Sequence, residues 1–392
     1  MAHQVDTLEV YPTGGPGAPK DRHGHAEGST TGLPAGTRVF SADNHISVSE
    51  DIFYERSPQS MKDRVPRVVN MEGAWTMDVG GRPLLPREFA GVLMQYDPLP
   101  GSSTGELSVR LDQLEADGVS RELAFPNALL GLMGYPDLEA RELSFRIYNE
   151  YLAELQERSN NRFYGVGLIN WWDGEGAKRT LDELKSLGIK TFWLPLKGGN
   201  NADGKPIDYN SKHIAPVWEA IEESGLPVSH HIGEGMISAP CAKNGYAVSM
   251  VHNSAPFREM FGRYVCTGLL DRYKGLKVGW FEGGINWVPS AIQDAEHMYR
   301  SYLHTSNVEL EQGAQYYWDT HMYAAFMIDP LGLDLIDRIG RHKVMWSTDF
   351  PHIESTFGYS EKSLTQVVDA LGVDDAVRVV SQNVLDYLGL PA

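Results

Sequence analysis

Two stretches far apart in the chain place carboxylate and imidazole side chains at the ends of apolar runs. Near the start is Val39-Phe40-Ser41-Ala42-Asp43-Asn44-His45, and near the end is Met345-Trp346-Ser347-Thr348-Asp349-Phe350-Pro351-His352. Side chains alternate along an extended strand, so Asp43 and His45 project to one side and Asn44 to the other. An Asp and a His delivered together are donors for a divalent cation. Asp349, after Val344-Met345-Trp346 and before the strand-stopping Phe350-Pro351, supplies a second carboxylate that can ligate an ion or take a proton from ion-bound water.

Further groups of the same kind follow other apolar runs. His230 and His231 close Gly-Leu-Pro-Val-Ser and open onto Ile232-Gly233-Glu234-Gly235. Adjacent strand residues face opposite sides, so one of the pair reaches the site and the other bonds to backbone; spacing leaves open which. Glu282 ends Val278-Gly279-Trp280-Phe281 and precedes Gly283-Gly284. A carboxylate among such aromatics must be paired or bound to a cation, so it reads as ligand, base or partner of a buried cation. Lys197, beyond Phe192-Trp193-Leu194-Pro195-Leu196, is a candidate substrate group or, if carboxylated, a bridge between two ions. His321 and His352 are second choices for touching substrate or a ligand. Trp193, Trp287, Trp318, Trp346 and Phe350 fall at expected strand ends, which suits a bulky apolar substrate.

These residues must be positioned by a large fold. The chain has 392 residues, 42% of them hydrophobic, enough for a sizeable core. With 34 Lys and Arg against 52 Asp and Glu, its net charge of −18 disfavours nucleic acid and anionic lipid as partners. The two cysteines, Cys241 and Cys266, make no disulfide framework, and neither a signal-peptide pattern nor a bilayer-length apolar run is present, so a cytoplasmic location is expected.

Residues 1–36 are rich in Gly, Pro, Thr and charge and read as an irregular arm, with His23 and His25 as solvated loop histidines. From residue 37 to 392 short β-branched or aromatic runs alternate with helical patterns, the signature of βα units. Strands are expected at Arg38 to Ala42, Arg121 to Phe125, Arg162 to Leu168, Lys190 to Leu194, Pro227 to His231, Lys277 to Glu282, Tyr317 to Tyr323 and Lys343 to Asp349. Eight parallel strands close a barrel. Helices are expected at Arg141 to Ser159, Gly176 to Leu187, Ile214 to Ser224, Tyr264 to Tyr273, Asp334 to Gly340, Lys362 to Leu371 and near Val384. The proline-rich interval 46–109 is too long for a βα connection and reads as an inserted cap.

Seven segments, SADNHI, KDRVPRVV, RLDQLEADGV, RIYNEYLAEL, GLPVSHHIG, FEGGINWVP and WSTDFPH, together resemble the amidohydrolase superfamily. They are most similar to its amidohydrolase-related branch, which includes aminocarboxymuconate-semialdehyde and γ-resorcylate decarboxylases. The resemblance implies a (β/α)8 TIM barrel with a divalent metal at its C-terminal mouth, held by Asp43, His45, His231 and Asp349. It selects His231 over His230, because His231 directly precedes Ile-Gly where the family's strand-five histidine stands. It also implies a homo-oligomer. The decarboxylases of this branch carry a catalytic His before the glycines, where this chain has Glu282.

That difference shifts the expected reaction towards hydrolysis. With Asp43, Asp349 and a modified Lys197, Glu282 offers enough oxygens for one or two ions, of zinc, iron or manganese. The first expectation is a metal-dependent hydrolase of an ester, thioester or amide of a small molecule, with Asp349 or Glu282 accepting the proton of bound water and His231 beside them. The alternative is a non-oxidative decarboxylase or hydratase of an aromatic or unsaturated acid, with His230, His252, His321 or His352 as the acid acting on carbon. A catalytically silent ligand-binding barrel, holding no metal, is the third.

Overall fold

A computed structural model of the chain describes residues 31–48, 51–71, 74–84, 106–127, 130–233, 248, 251–252, 254–305, 307–352 and 355–391. His23, His25, Cys241 and most of the expected arm lie outside the described residues, as do Glu234 and the second half of the expected cap.

Eight parallel strands form the centre. The first, β1, is Phe40–Ile46; β2 (Arg67–Met71), β3 (Ala74–Val79) and β4 (Arg82–Pro83) make a separate antiparallel sheet inside the 46–109 interval. The barrel resumes with β5 (Arg121–Pro126), a strand interrupted at Val166 into β6 (Phe163–Gly165) and β7 (Gly167–Leu168), then β8 (Phe192–Trp193), β9 (Val228–His231), β10 (Val278–Phe281), β11 (Met322–Phe326) and β12 (Val344–Trp346). Neighbours follow chain order: β1 pairs with β5, β5 with β6, and β7 through β12 pair in succession. Val166 bridges the interruption, its N–H donating to Ala124 before Gly167 donates to Thr191. The ring closes where the Asp349 N–H donates to Asp43 at 2.8 Å and the His45 N–H to Phe350 at 2.6 Å. The result is a (β/α)8 barrel.

Because helices cover the outside and side chains fill the inside, barrel strands are buried on both faces and read as continuous apolar runs. Met322–Phe326 (MYAAF) is buried throughout. Polar residues therefore stand out at strand ends, and β1 carries Asp43, Asn44 and His45, all buried, at its C-terminal end. The barrel floor is sealed by Tyr387 of the C-terminal helix Asn383–Leu388, whose hydroxyl lies 2.8 Å from Ser229 and donates to the Val228 carbonyl at 2.9 Å. Gly279 makes room for that ring, since a Cβ there would stand 2.7 Å from Tyr387.

Three expectations change. The segment Tyr317 to Tyr323 is not one strand: Ala314–His321 is helical and the strand is Met322–Phe326. Its aromatic density comes from Tyr317 and Trp318 packing a helix onto the barrel rather than from a pleated face. The helix Trp287–Tyr302 follows β10 directly, in a stretch where no helix is expected from the sequence. Leu107–Ala116 starts a barrel helix inside the interval assigned to the cap. Among the described residues no helix is long and apolar enough to cross a membrane.

Candidate metal centre

Five side chains from the first, fifth, sixth and eighth strand ends converge. His45 Nε2 lies 3.8 Å from Asp43 Oδ1, 3.3 Å from Glu282 Oε2 and 3.1 Å from Asp349 Oδ1. His231 Nε2 lies 3.5 Å from Asp43 Oδ1 and 3.0 Å from Glu282 Oε2. His352 joins from beyond β12, its Nδ1 3.1 Å from Asp349 Oδ1 and 3.8 Å from Glu282 Oε2.

Local backbone explains why two of these carboxylates reach inward. Glu282 and Asp349 have φ of +65° and +61°, the left-handed region that non-glycine residues enter at a cost of about 1–3 kcal/mol each. Both stand just past a strand, where such a turn swings the side chain back over the barrel axis. The loop bearing Glu282 is held by Asp329, whose Oδ2 accepts the N–H of Ile285 at 2.7 Å and of Asn286 at 2.9 Å. Gly284, at φ +67°, lets the chain pass that close.

A second, fully buried network ties the first and last strand ends together. The Asn44 Oδ1 accepts from Ser41 Oγ at 2.9 Å, Thr348 Oγ1 at 2.5 Å and Phe350 N at 3.0 Å. Its Nδ2 donates to Glu122 Oε2 at 2.7 Å, and Glu122 is gripped by Arg110 through bonds of 2.7 and 2.6 Å. Thus the outward-facing residue between Asp43 and His45 grips both neighbours of Asp349.

The electrostatics demand a cation. Asp43, Glu282 and Asp349 have side chains 0%, 7% and 0% exposed. Burial pushes Asp43 above its ordinary value, against the pull of His231 and His45. Burial, reinforced by Glu282, pushes Asp349 up to about 6. Burial would depress His231, but Asp43 and Glu282 reverse the sign and hold its imidazolium well above the usual histidine range. Glu282 is held well below its ordinary value, because the histidines, His231 first, outweigh its burial. His45 falls to about 3, from burial first and His352 second. In the chain alone, then, a proton on His231 supplies the positive charge.

Donor atoms fit a divalent ion in its place. Both oxygens of Asp43, both of Asp349 and Nε2 of His231 are buried without a hydrogen-bond partner. Donor separations of 3.0 to 3.8 Å match the edges of a coordination shell whose bonds are ~2.1 Å. His231 Nδ1 faces the Ile232 carbonyl at 2.9 Å, leaving Nε2 for the ion.

The other sequence-derived candidates are placed elsewhere. His230 faces outward from β9: its Nδ1 lies 2.7 Å from the Leu194 carbonyl, its Nε2 2.9 Å from the Tyr264 hydroxyl, and it stacks on Trp280. His321 sits at the opposite end of the barrel, at the foot of β11, with Nδ1 2.8 Å from the Leu276 carbonyl. Trp287 packs in the outer shell against Trp280, Phe257 and Trp318, and Trp346 points outward to donate to Ser363 at 2.8 Å. Those rings belong to the packing between barrel and helices, so they carry no argument for a bulky apolar substrate. Lys197 is exposed in the loop after β8, whereas a carboxylated bridging lysine must be buried among its ions. Trp193 does stand beside the cluster, 5.3 Å from the His231 ring and 6.1 Å from Phe125. Phe125, at the end of β5 and 4.6 Å from His231, was not singled out in the sequence, although its place at a strand end was the available signal.

Residues 108–379 match the model of the family described as Amidohydrolase. No curated protein matches the chain. Among solved structures, an amidohydrolase from Mycobacterium avium subsp. paratuberculosis K-10 is 19% identical with a TM-score of 0.73, covering 92% of this chain and 100% of that one. The 5-carboxyvanillate decarboxylase LigW from Sphingomonas paucimobilis is 17% identical with a TM-score of 0.67, covering 91% and 100%. A dihydroxybenzoic acid decarboxylase from Polaromonas sp. JS666, solved with bound manganese and the inhibitor 2-nitroresorcinol, is 16% identical with a TM-score of 0.64, covering 90% and 97%.

Proposed function

The chain belongs to the amidohydrolase family, and from that premise we propose that it is a divalent-metal-dependent lyase that removes CO2 from a small aromatic or unsaturated carboxylic acid. The observation that carries this reading is the position of His352. Loss of CO2 leaves the electron pair of the broken C–C bond on carbon, and that carbon must take a proton from a positioned acid. Four histidines were open to the role. His230 and His321 are locked onto backbone carbonyls away from the cluster, and His252 is exposed ahead of the helix Ala255–Cys266. His352 lies in the cluster with its side chain 14% exposed, beside ligands that are 0–7% exposed.

In this reading Asp43, His45, His231 and Asp349 hold one ion, with Glu282 against it. A bound divalent cation polarises the substrate oxygens it contacts. Asp349 orients His352 through Nδ1, and the buried rings of Phe125 and Trp193 pack beside His231 as an apolar wall of the site. The structural relatives that decarboxylate aromatic acids, one of them with manganese, support the same choice.

Acyl hydrolysis, the reaction first expected, remains as a second reading for one reason: Asp349, pushed up to about 6, suits a group that takes a proton from water. Glu282, the departure that first favoured it, stands in the cluster and serves either reaction, whereas Lys197 and the outward-facing tryptophans lend it no support. Manganese-loaded enzyme should be offered a panel of hydroxybenzoates and unsaturated diacids beside aryl esters and thioesters. CO2 release that His352→Gln abolishes is the expected result. Acid release from the esters without any CO2 would overturn the lyase reading.

A further inference from the structure

Arg141 is a buried cation with much of its hydrogen-bonding capacity unspent. It lies in the first turn of the helix Leu138–Arg158 and is 5% exposed. Nη1 donates to the Met133 carbonyl at 2.7 Å, while Nε and Nη2, both buried, meet no acceptor. Two indoles stand to one side of it, with 3.9 Å from the guanidinium carbon to the Trp172 ring centroid and 5.0 Å to that of Trp171, and the two rings meet edge to face 5.1 Å apart. These rings attract the cation but offer no acceptor in its plane. Among the described residues no carboxylate compensates it either, and burial pushes its pKa down to about 10.

Burying a guanidinium with two N–H groups unmet costs free energy, and folds rarely retain such a group without a use for it. The unmet pair is informative in its geometry. Nε–H and Nη2–H point the same way, at the spacing with which a guanidinium grips both oxygens of a carboxylate. The surroundings place this edge at the catalytic end of the barrel. Met133 ends the short helix after β5, Trp171 and Trp172 follow β7, and the Trp171 indole donates to the Gly198 carbonyl beyond β8 at 2.8 Å. All are loops beyond the C-terminal ends of strands, the end that holds the cluster.

We propose that Arg141, held beside Trp171 and Trp172, is a recognition site for a carboxylate that the substrate keeps, which makes the substrate a dicarboxylic acid. The inference rests on the lyase reading. It assigns Arg141 the retained group because a cation gripping the departing carboxylate would stabilise the ground state against neutral CO2, raising the barrier instead of lowering it. Shielding from water strengthens the grip on a retained one.

The test uses the manganese-loaded full chain, with benzene-1,3-dicarboxylate and benzoate as probes in thermal-shift titrations, on wild type and Arg141→Met. Methionine keeps the apolar stem against the indoles and removes the charge. The dicarboxylate should raise the wild-type Tm more than benzoate does, Arg141→Met should erase that difference, and the ligand-free variant should match or exceed the wild-type Tm because an unpaired buried cation is gone. A drop of several degrees in the ligand-free variant would mark Arg141 as a structural clamp, and equal responses to the two probes, or a dicarboxylate shift that survives the substitution, would equally overturn the proposal. Manganese binding is measured on the same samples. Failure of wild type to bind the ion counts against the metal-dependent lyase, whereas bound ion with no Arg141 dependence counts against this site alone.

Discussion

His352 stacks on His45 with 3.7 Å between ring centroids and 22° between planes, while its Nδ1 lies 3.1 Å from Asp349. Two imidazoles so close cannot both carry a proton cheaply, and His45, pushed to about 3 by burial and by His352, is the one that stays neutral. The pair thus divides its labour: His45 is kept as a neutral donor to an ion, and His352, beside Asp349, is the more exposed ring of the two.

From this division it follows that His352→Gln should lower turnover by a factor of about 10²–10⁴, the usual worth of a positioned acid, with manganese affinity changed only a few-fold. Single-turnover kinetics beside a metal-binding titration separate the two effects. Undiminished turnover would remove His352 from the chemistry.

Metal binding should release a proton. The folded-state pKa of His231 is raised, so this imidazole is charged at neutral pH, and a ligating nitrogen must be neutral. Manganese affinity should therefore rise about tenfold per pH unit between about pH 6 and 8. Calorimetry in buffers of different ionisation enthalpy counts the proton directly. An affinity flat over that range would contradict the charge assigned to His231.

Asn44→Ala should loosen the centre without touching a ligand. The substitution strips Thr348, the Phe350 N–H and Glu122 of a buried partner, which costs about 3 kcal/mol of stability. Because Thr348 and Phe350 flank Asp349, manganese affinity should fall about 10–100-fold. Urea unfolding and metal competition report the two effects. If stability falls while affinity holds, the network serves the fold alone.

Acid should destabilise the fold through His230, whose folded pKa is lowered to about 3 by burial from the ordinary histidine value of 6.5. The unfolded chain takes up a proton that the folded one refuses. This contribution to stability is present above 6.5 and is lost as pH falls toward 3, at about 1.4 kcal/mol per pH unit. His230→Gln should start less stable at pH 7 yet lose less between about pH 6 and 4. Parallel slopes for the two proteins in urea titrations would rule this out.

What the sequence by itself determined was the barrel and the strand ends that matter. In a barrel built from successive βα units, spatial order equals chain order, so Asp43, His45, His231, Glu282 and Asp349 could be named as end residues from apolar runs alone. The phase of each strand was harder to read. Strands such as Phe192–Trp193 and Val228–His231 hold too few residues for alternation to say which face is inside, and a slip of one flips every side chain. Hence spacing left open which of His230 and His231 faces the mouth, and Trp346 was assigned there when it faces the helices. Beyond the strands, alternation does not apply at all. The left-handed turns at Glu282 and Asp349 and the return of His352 onto His45 are decided by contacts between the two ends of the chain, as are the bonds of Asn44 to Thr348 and Phe350. So is the unmet edge of Arg141, which exists because the described loops after three strands bring rings beside it and no acid. Local sequence encodes which side chain is present and how a strand runs. Which groups share a dry space, and so which must find a partner, is a property of closure.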